Sequence, residues 1–78
     1  MHIKDLEIGE YAKVVGYESK NSAYRSRLLA MGLTKGITIK LIKVAPFGDP
    51  IELEVRGFNL SVRKDEAEIL QVDPIRNT

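Results

Sequence analysis

Ile51, Leu53 and Val55 alternate with Glu52, Glu54 and Arg56, and after Gly57 and Phe58 the alternation resumes with Leu60 and Val62. A period of two places the apolar set on one face of a strand and the charged set on the other. Two such runs broken at Gly57 predict a hairpin that turns near that glycine. The apolar face of the hairpin needs a cover, and the chain offers mostly further strands. Tyr11 to Tyr17 is β-branched and aromatic, and Ile37 to Ala45 alternates Ile37, Ile39 and Leu41 against Thr38 and Lys40. Ile69 to Val72 makes a last strand, after one turn of helix over Lys64 to Glu68. Five short strands with one short inserted helix predict a mainly β fold, a small bent sheet closed into a barrel. Residues 1–78 read as one domain, with 72–78 expected to fray. The connection Ala45 to Pro50, with two prolines and a glycine, is expected to be ordered and restricted in shape.

The helix is predicted within "SAYRSRLLAMGLTKG", Ser22 to Gly36, running from about Ala23 to Met31. Ser22 is suited to the N-cap, and Gly32 to the left-handed residue that ends a helix, with Leu33 folding back onto Leu28. Under three turns long, such a helix does not persist alone in water, so it must dock. Tyr24, Leu28 and Met31 share the face assigned inward with Leu33, and Leu29 lies about 100° further round beside Arg25. Two readings of Leu29 follow: an exposed anchor of a protein contact, or a plug in a second side of the barrel mouth. Arg25 and Arg27 oppose the helix dipole at a cost of about 0.3–1 kcal/mol each. Either intramolecular acids, Glu18 or those of the later strands, or an acidic partner or a phosphate offset that cost.

Net charge is only +1, yet from Ser19 to Gly48 there is no acid, while Lys20, Arg25, Arg27, Lys35, Lys40 and Lys43 fall in that interval. The asymmetry predicts a basic surface around the helix and the next strand, the alternative being a chance imbalance that water solvates. The chain has no cysteine, which excludes disulfides and thiolate metal sites and fits a reducing cytoplasm. No apolar run approaches the ~18 residues of a membrane span, and the N-terminus lacks a signal-peptide core. His2, the single histidine, is read as lying at a mobile terminus, so a His-based site has no support. Asp65, Glu66 and Glu68 read as a solvated acidic turn, with a weak cation site as the alternative. Neither an activated nucleophile nor a phosphate loop is present, so catalysis is not expected. The few aromatics, Tyr11, Tyr17, Tyr24, Phe47 and Phe58, give little for stacking nucleic-acid bases.

"AYRSRLLAMGLTKG", followed by an alternating strand and then by "VAPFGDPIELEVRGFNLSVRKDEAEIL", closely resembles the FeoA family of small ferrous iron transport proteins. The likeness runs from about Leu6 to Val72 without departure from the pattern. It implies an SH3-like barrel, related to the C-terminal domain of iron-dependent repressors. It also implies a cytoplasmic accessory of the FeoB-type membrane ferrous iron transporter, whose N-terminal part is a GTPase. The resemblance supplies the partner and the residues suggest the surface: Tyr24, Arg25, Arg27, Leu29 and Lys35 of the basic helix region, with Phe47 and Asp49 of the loop. No cofactor is expected, and divalent metal would meet only carboxylates, which bind weakly and without selectivity. The competing class is a general small-barrel adaptor, repressor-like or touching nucleic acid.

Overall fold

The computed structural model describes residues 1–18 and 22–75. A 3-10 turn at Ile3–Asp5 precedes β1 (Tyr11–Tyr17), α1 (Ser22–Ala30), β2 (Thr38–Val44), β3 (Ile51–Val55), β4 (Phe58–Val62), α2 (Lys64–Ala67) and β5 (Leu70–Pro74). The strands form one antiparallel sheet in the order β4-β3-β2-β1-β5. Two single-residue register shifts bend it. Val14 faces Val72 and Gly16 faces Gln71, which leaves Val15 as an extra residue; Leu41 faces Leu53 and Lys43 faces Glu52, which leaves Ile42 extra. Each bulge adds local twist and curls its strand, so the five strands wrap around their own apolar face.

That face carries Ala12, Val14, Ile39, Leu41, Ile51, Leu53, Val55, Val62, Leu70 and Val72, all buried. Leu28, Leu33 and Ala67 close the core from the helical side, and Ile3 and Leu6 close it from the N-terminus. Here the structure corrects the expectation of a mobile start: Ile3 and Leu6 are core residues, the Met1 carbonyl accepts from Val72 N–H, and His2 bonds Glu18. The tail is corrected as well. β5 continues through Asp73 and Pro74, paired with Lys13 and Ala12, and Ile75 N–H reaches the Tyr11 carbonyl, whereas 76–78 lie outside the described residues. In both cases the partners are distant in sequence, so local polarity was misleading.

The β3–β4 hairpin turns on two residues. Arg56 and Gly57 have φ of 52° and 82°, the paired positive angles of a type I′ turn, whose twist matches that of the flanking strands. Arg56 therefore belongs to the turn rather than to the end of β3, and Phe58 opens β4 opposite Val55. In the β2–β3 connection, Gly48 N–H bonds the Ala45 carbonyl and Ala45 N–H bonds the Pro50 carbonyl, the ordered loop expected there.

α1 starts at Ser22, which is therefore a helical residue rather than the N-cap expected of it, and the residue before it lies outside the described residues. Its end is as expected. Leu33 N–H bonds the Leu28 carbonyl at 3.0 Å and Gly32 N–H bonds the Leu29 carbonyl at 3.0 Å, the two bonds of a Schellman motif, with Gly32 at φ 90°. Leu28 and Leu33 are buried and Met31 packs partly against the core, but Tyr24 is only half-buried and lies outside that cluster. A side chain added at Gly32 would meet no atom within 4 Å, so its cost is that of the backbone alone. Gly32→Ala is expected to lower unfolding free energy by about 1–2 kcal/mol in urea denaturation; an unchanged midpoint would mean that the left-handed turn does not hold the helix end.

Candidate functional site

The basic interval does not form a uniform basic surface once the strands pair. Lys40 on β2 lies directly opposite Glu54 on β3, and Lys43 lies opposite Glu52. Opposite charges facing each other across a ladder stabilise the pair by about 0.2–1 kcal/mol and cancel at a distance. Lys40 also sets its ammonium 5.3 Å from the centroid of the Tyr11 ring. Lys20 lies outside the described residues. The positive charge left is on α1 and in the segment that leaves it.

Arg27 and Arg25 have different fates. Arg27 Nη1 lies 3.2 Å from Glu66 Oε2, and Glu66, on α2, is only 3% exposed. The other oxygen of that carboxylate accepts from Arg63 N–H at 3.1 Å, filling the first turn of α2. Arg27 thus joins α1 to α2, and Glu66 is a buried joint rather than part of a solvated acidic turn. Arg25 has no ion-pair partner among the described residues, nor has Lys35. Arg25 and Leu29 stand one helical turn apart on the same side of α1, and Leu29 is 44% exposed, as the anchor reading of that leucine requires. Behind them the Tyr17 hydroxyl donates to the Leu33 carbonyl. Burial pushes the Tyr17 phenol above its usual 10.0, and the Arg25 charge pulls it part of the way back.

Of the other expected contact residues, Tyr24 is half-buried beside Arg25, Lys35 is exposed, and Phe47 at the β2–β3 loop is 94% exposed. Asp49 has a structural duty: its Oδ1 accepts from Lys64 N–H at 3.1 Å, where α2 begins. α2 is therefore tied to the helix through Glu66 and to the loop through Asp49. Beside that loop, Ile3, Leu6, Leu41, Val44, Ile51 and Ala67 line an apolar hollow of about 210 Å3, with Lys4, Lys64 and Glu68 at its rim. Sequence reasoning missed this hollow because four separate segments build it. The i, i+3 pair Ile3 and Leu6 was the one local signal that the N-terminus packs inward.

The FeoA domain family matches residues 1–74. The chain belongs to that family. A Fe(2+) transport protein A/Fe(2+) transporter FeoB fusion protein of Porphyromonas gingivalis is 32% identical over 75 residues, covering 96% of this chain. The chain spans 9% of the length of that relative. Among solved structures, a FeoA-like protein from Clostridium acetobutylicum superposes with a TM-score of 0.87 at 33% identity, covering 100% of this chain and 90% of that one. Stenotrophomonas maltophilia FeoA complexed with zinc, described as a procaryotic SH3 domain protein, superposes with a TM-score of 0.78 at 26% identity, covering 94% of this chain and 89% of that one. The bent five-stranded sheet with its short helix is thus an SH3-like fold, and the FeoA family is one of ferrous iron transport.

Among the described residues no three of His, Asp and Glu converge as ligands, and the chain has no cysteine. His2 instead lies with Nε2 2.6 Å from Glu18 Oε2, while Gln71 donates to Oε1 at 3.2 Å. The His2 hydrogen bond, followed by that of Gln71, holds the Glu18 carboxyl below its usual 4.5.

Two measurements follow. Arg27→Ala leaves a buried carboxylate without its charged partner and is expected to cost about 1–3 kcal/mol of stability, whereas Arg25→Ala should change it by no more than about 0.5 kcal/mol; equal losses in denaturant titration would remove the ion pair as the joint. Glu18 contributes stability that is complete above pH 4.5 and is lost as pH falls through its lower folded value. A carboxyl NMR titration should place Glu18 below 4.5 and find it moved upward in His2→Ala; an unmoved midpoint would assign the depression to another group.

Proposed function

We propose that this chain is a cytoplasmic accessory and regulatory protein of ferrous iron transport that binds a FeoB-type membrane transporter. The observation that carries the reading is the fusion relative, in which a Fe(2+) transport protein A and a Fe(2+) transporter FeoB share one polypeptide. Fusion implies that the two parts work at one place, in contact with each other. No helix among the described residues is long and apolar enough to cross a membrane, and on this reading the chain meets the bilayer through its partner. The role is one of contact rather than catalysis.

The contact surface is the outer side of α1 and the segment after it, where Arg25, Leu29 and Lys35 combine unpaired positive charge with an exposed leucine, Tyr24 at their edge. A partner patch that is acidic at the rim and apolar at the centre complements it. Arg27 serves this surface indirectly by fixing the helix to α2. Phe47 and Asp49, at the β2–β3 loop, form a second area that rests on the same α2. Lys40 and Lys43 take no part, since glutamates face them, and this also counts against a nucleic-acid groove.

The test is binding of the purified FeoB-type transporter, and separately of its soluble GTPase part, to the wild-type chain and variants. Leu29→Ala and Arg25→Ala are each expected to weaken binding by about 1–2 kcal/mol with melting temperature little changed, as for a modest hot spot. Phe47→Ala should have a smaller effect. If Phe47→Ala abolishes binding while the α1 variants bind normally, the surface moves to the loop. If no transporter part binds the wild-type chain, the accessory reading fails.

A further inference from the structure

The two edges of the sheet are treated differently. On β5, Val72 N–H is taken by the Met1 carbonyl, Asp73 places a charge on the strand, and Pro74 has no N–H to offer. These are the devices that keep an edge strand from pairing with another chain. The β4 edge has none of them. Its sequence, Phe58 to Val62, contains no proline, no charge and no register shift against β3.

Hairpin geometry identifies the groups that β4 leaves open. The two-residue turn at Arg56–Gly57 makes Val55 and Phe58 a hydrogen-bonded pair, and bonded pairs alternate along an antiparallel ladder, so Leu60 and Val62 also bond β3. The N–H and C=O of Asn59 and Ser61 therefore point to the free edge, and both residues are exposed. On the inner face, burial falls from Val62 through half-buried Leu60 to Phe58, which is 73% exposed. An added strand would bond Asn59 and Ser61 while its own inward side chains covered Phe58 and Leu60.

Charge selects the occupant. Arg56 precedes the strand and Arg63 and Lys64 follow it, all exposed, while Glu52 and Glu54 of the neighbouring β3 face lysines of β2. A second copy paired antiparallel about Leu60, the register that uses all four free groups, would set Arg56 of one copy against Lys64 of the other at both ends. Like charges facing each other across strands disfavour that arrangement. We infer that β4 is a docking edge for an extended segment of another protein, alternating apolar and polar residues over about nine positions with acids at both ends. That length covers the five strand residues Phe58–Val62 with about two residues over at each end, toward Arg56 and Lys64. The mode is strand addition, with backbone bonds supplying affinity and alternate side chains supplying specificity. This edge is separate from the Arg25–Leu29 surface, so the inference does not rest on the transporter reading.

The probe is a library of nine-residue peptides with Asp or Glu at both ends and Val, Ile or Phe alternating with Ser or Thr between, titrated into the full chain and followed by amide NMR. Members are expected to bind more tightly than about 1 mM, to shift the Asn59 and Ser61 amides, and to slow their hydrogen exchange. N-methylation of a binding peptide at the bonding positions, or lysine in place of its terminal acids, should weaken binding at least about tenfold. Ser61→Pro removes one outward N–H without touching a β3 bond and should do the same with the spectrum otherwise preserved. Should that variant not fold, Arg56→Asn with Arg63→Ser should abolish the preference for acidic over lysine ends. The inference is overturned if no member protects Asn59 and Ser61, if N-methylation is without effect, or if these amides are already protected by self-association.

Discussion

The carboxylate of Glu66 holds α1, α2 and the β2–β3 loop in register. It is almost wholly buried, and its two oxygens are taken by the Arg27 guanidinium and by Arg63 N–H. A buried carboxylate left unpaired costs several kcal/mol, so this one specifies its neighbours: α1 must present Arg27 to it, and α2 must begin at Lys64. Lys64 N–H then bonds Asp49, which carries the constraint into the β2–β3 loop. Helix, loop and short helix are positioned as a unit on the open side of the sheet. The outward aim of Arg25 and Leu29 follows from it, because turning α1 to bring Leu29 inward would withdraw Arg27 from Glu66.

Pairing also sorts the charges. A run of thirty residues without an acid would suggest a broadly positive protein. The fold places the acidic alternation of β3 directly against the basic alternation of β2, so that glutamates face Lys40 and Lys43, and Glu66 of α2 takes Arg27. What survives is local, at Arg25 and Lys35, and at the ends of β4. Small areas of unpaired charge beside exposed apolar side chains suit selective contacts with other proteins better than a long groove for a polyanion.

Legibility followed sequence separation. The β3–β4 hairpin, the end of α1 at Gly32 and the ordered loop before β3 were readable because the groups that satisfy each other are close in sequence, from Val55 with Phe58 at the turn out to Ile51 with Val62. The family was readable too, because the helix, loop and hairpin segments occur together in one order. The N-terminus and the tail were misread because Met1 finds Val72, Ile75 finds Tyr11, and Ile3 joins a core built mostly from later strands. Of the candidate contact residues, Arg25, Leu29, Lys35 and Phe47 are exposed, while Arg27 and Asp49 have internal partners at sequence separations of 39 and 15.

The amino-acid order by itself determined the strands, the turn glycines, the helix with its cap and the family, since these depend on side-chain periodicity and on backbone preferences of single residues. Tertiary structure alone decided which charges remain free and which edge of the sheet stays open. Electrostatic cancellation and edge coverage depend on distances between segments far apart in the chain, and no local pattern encodes them.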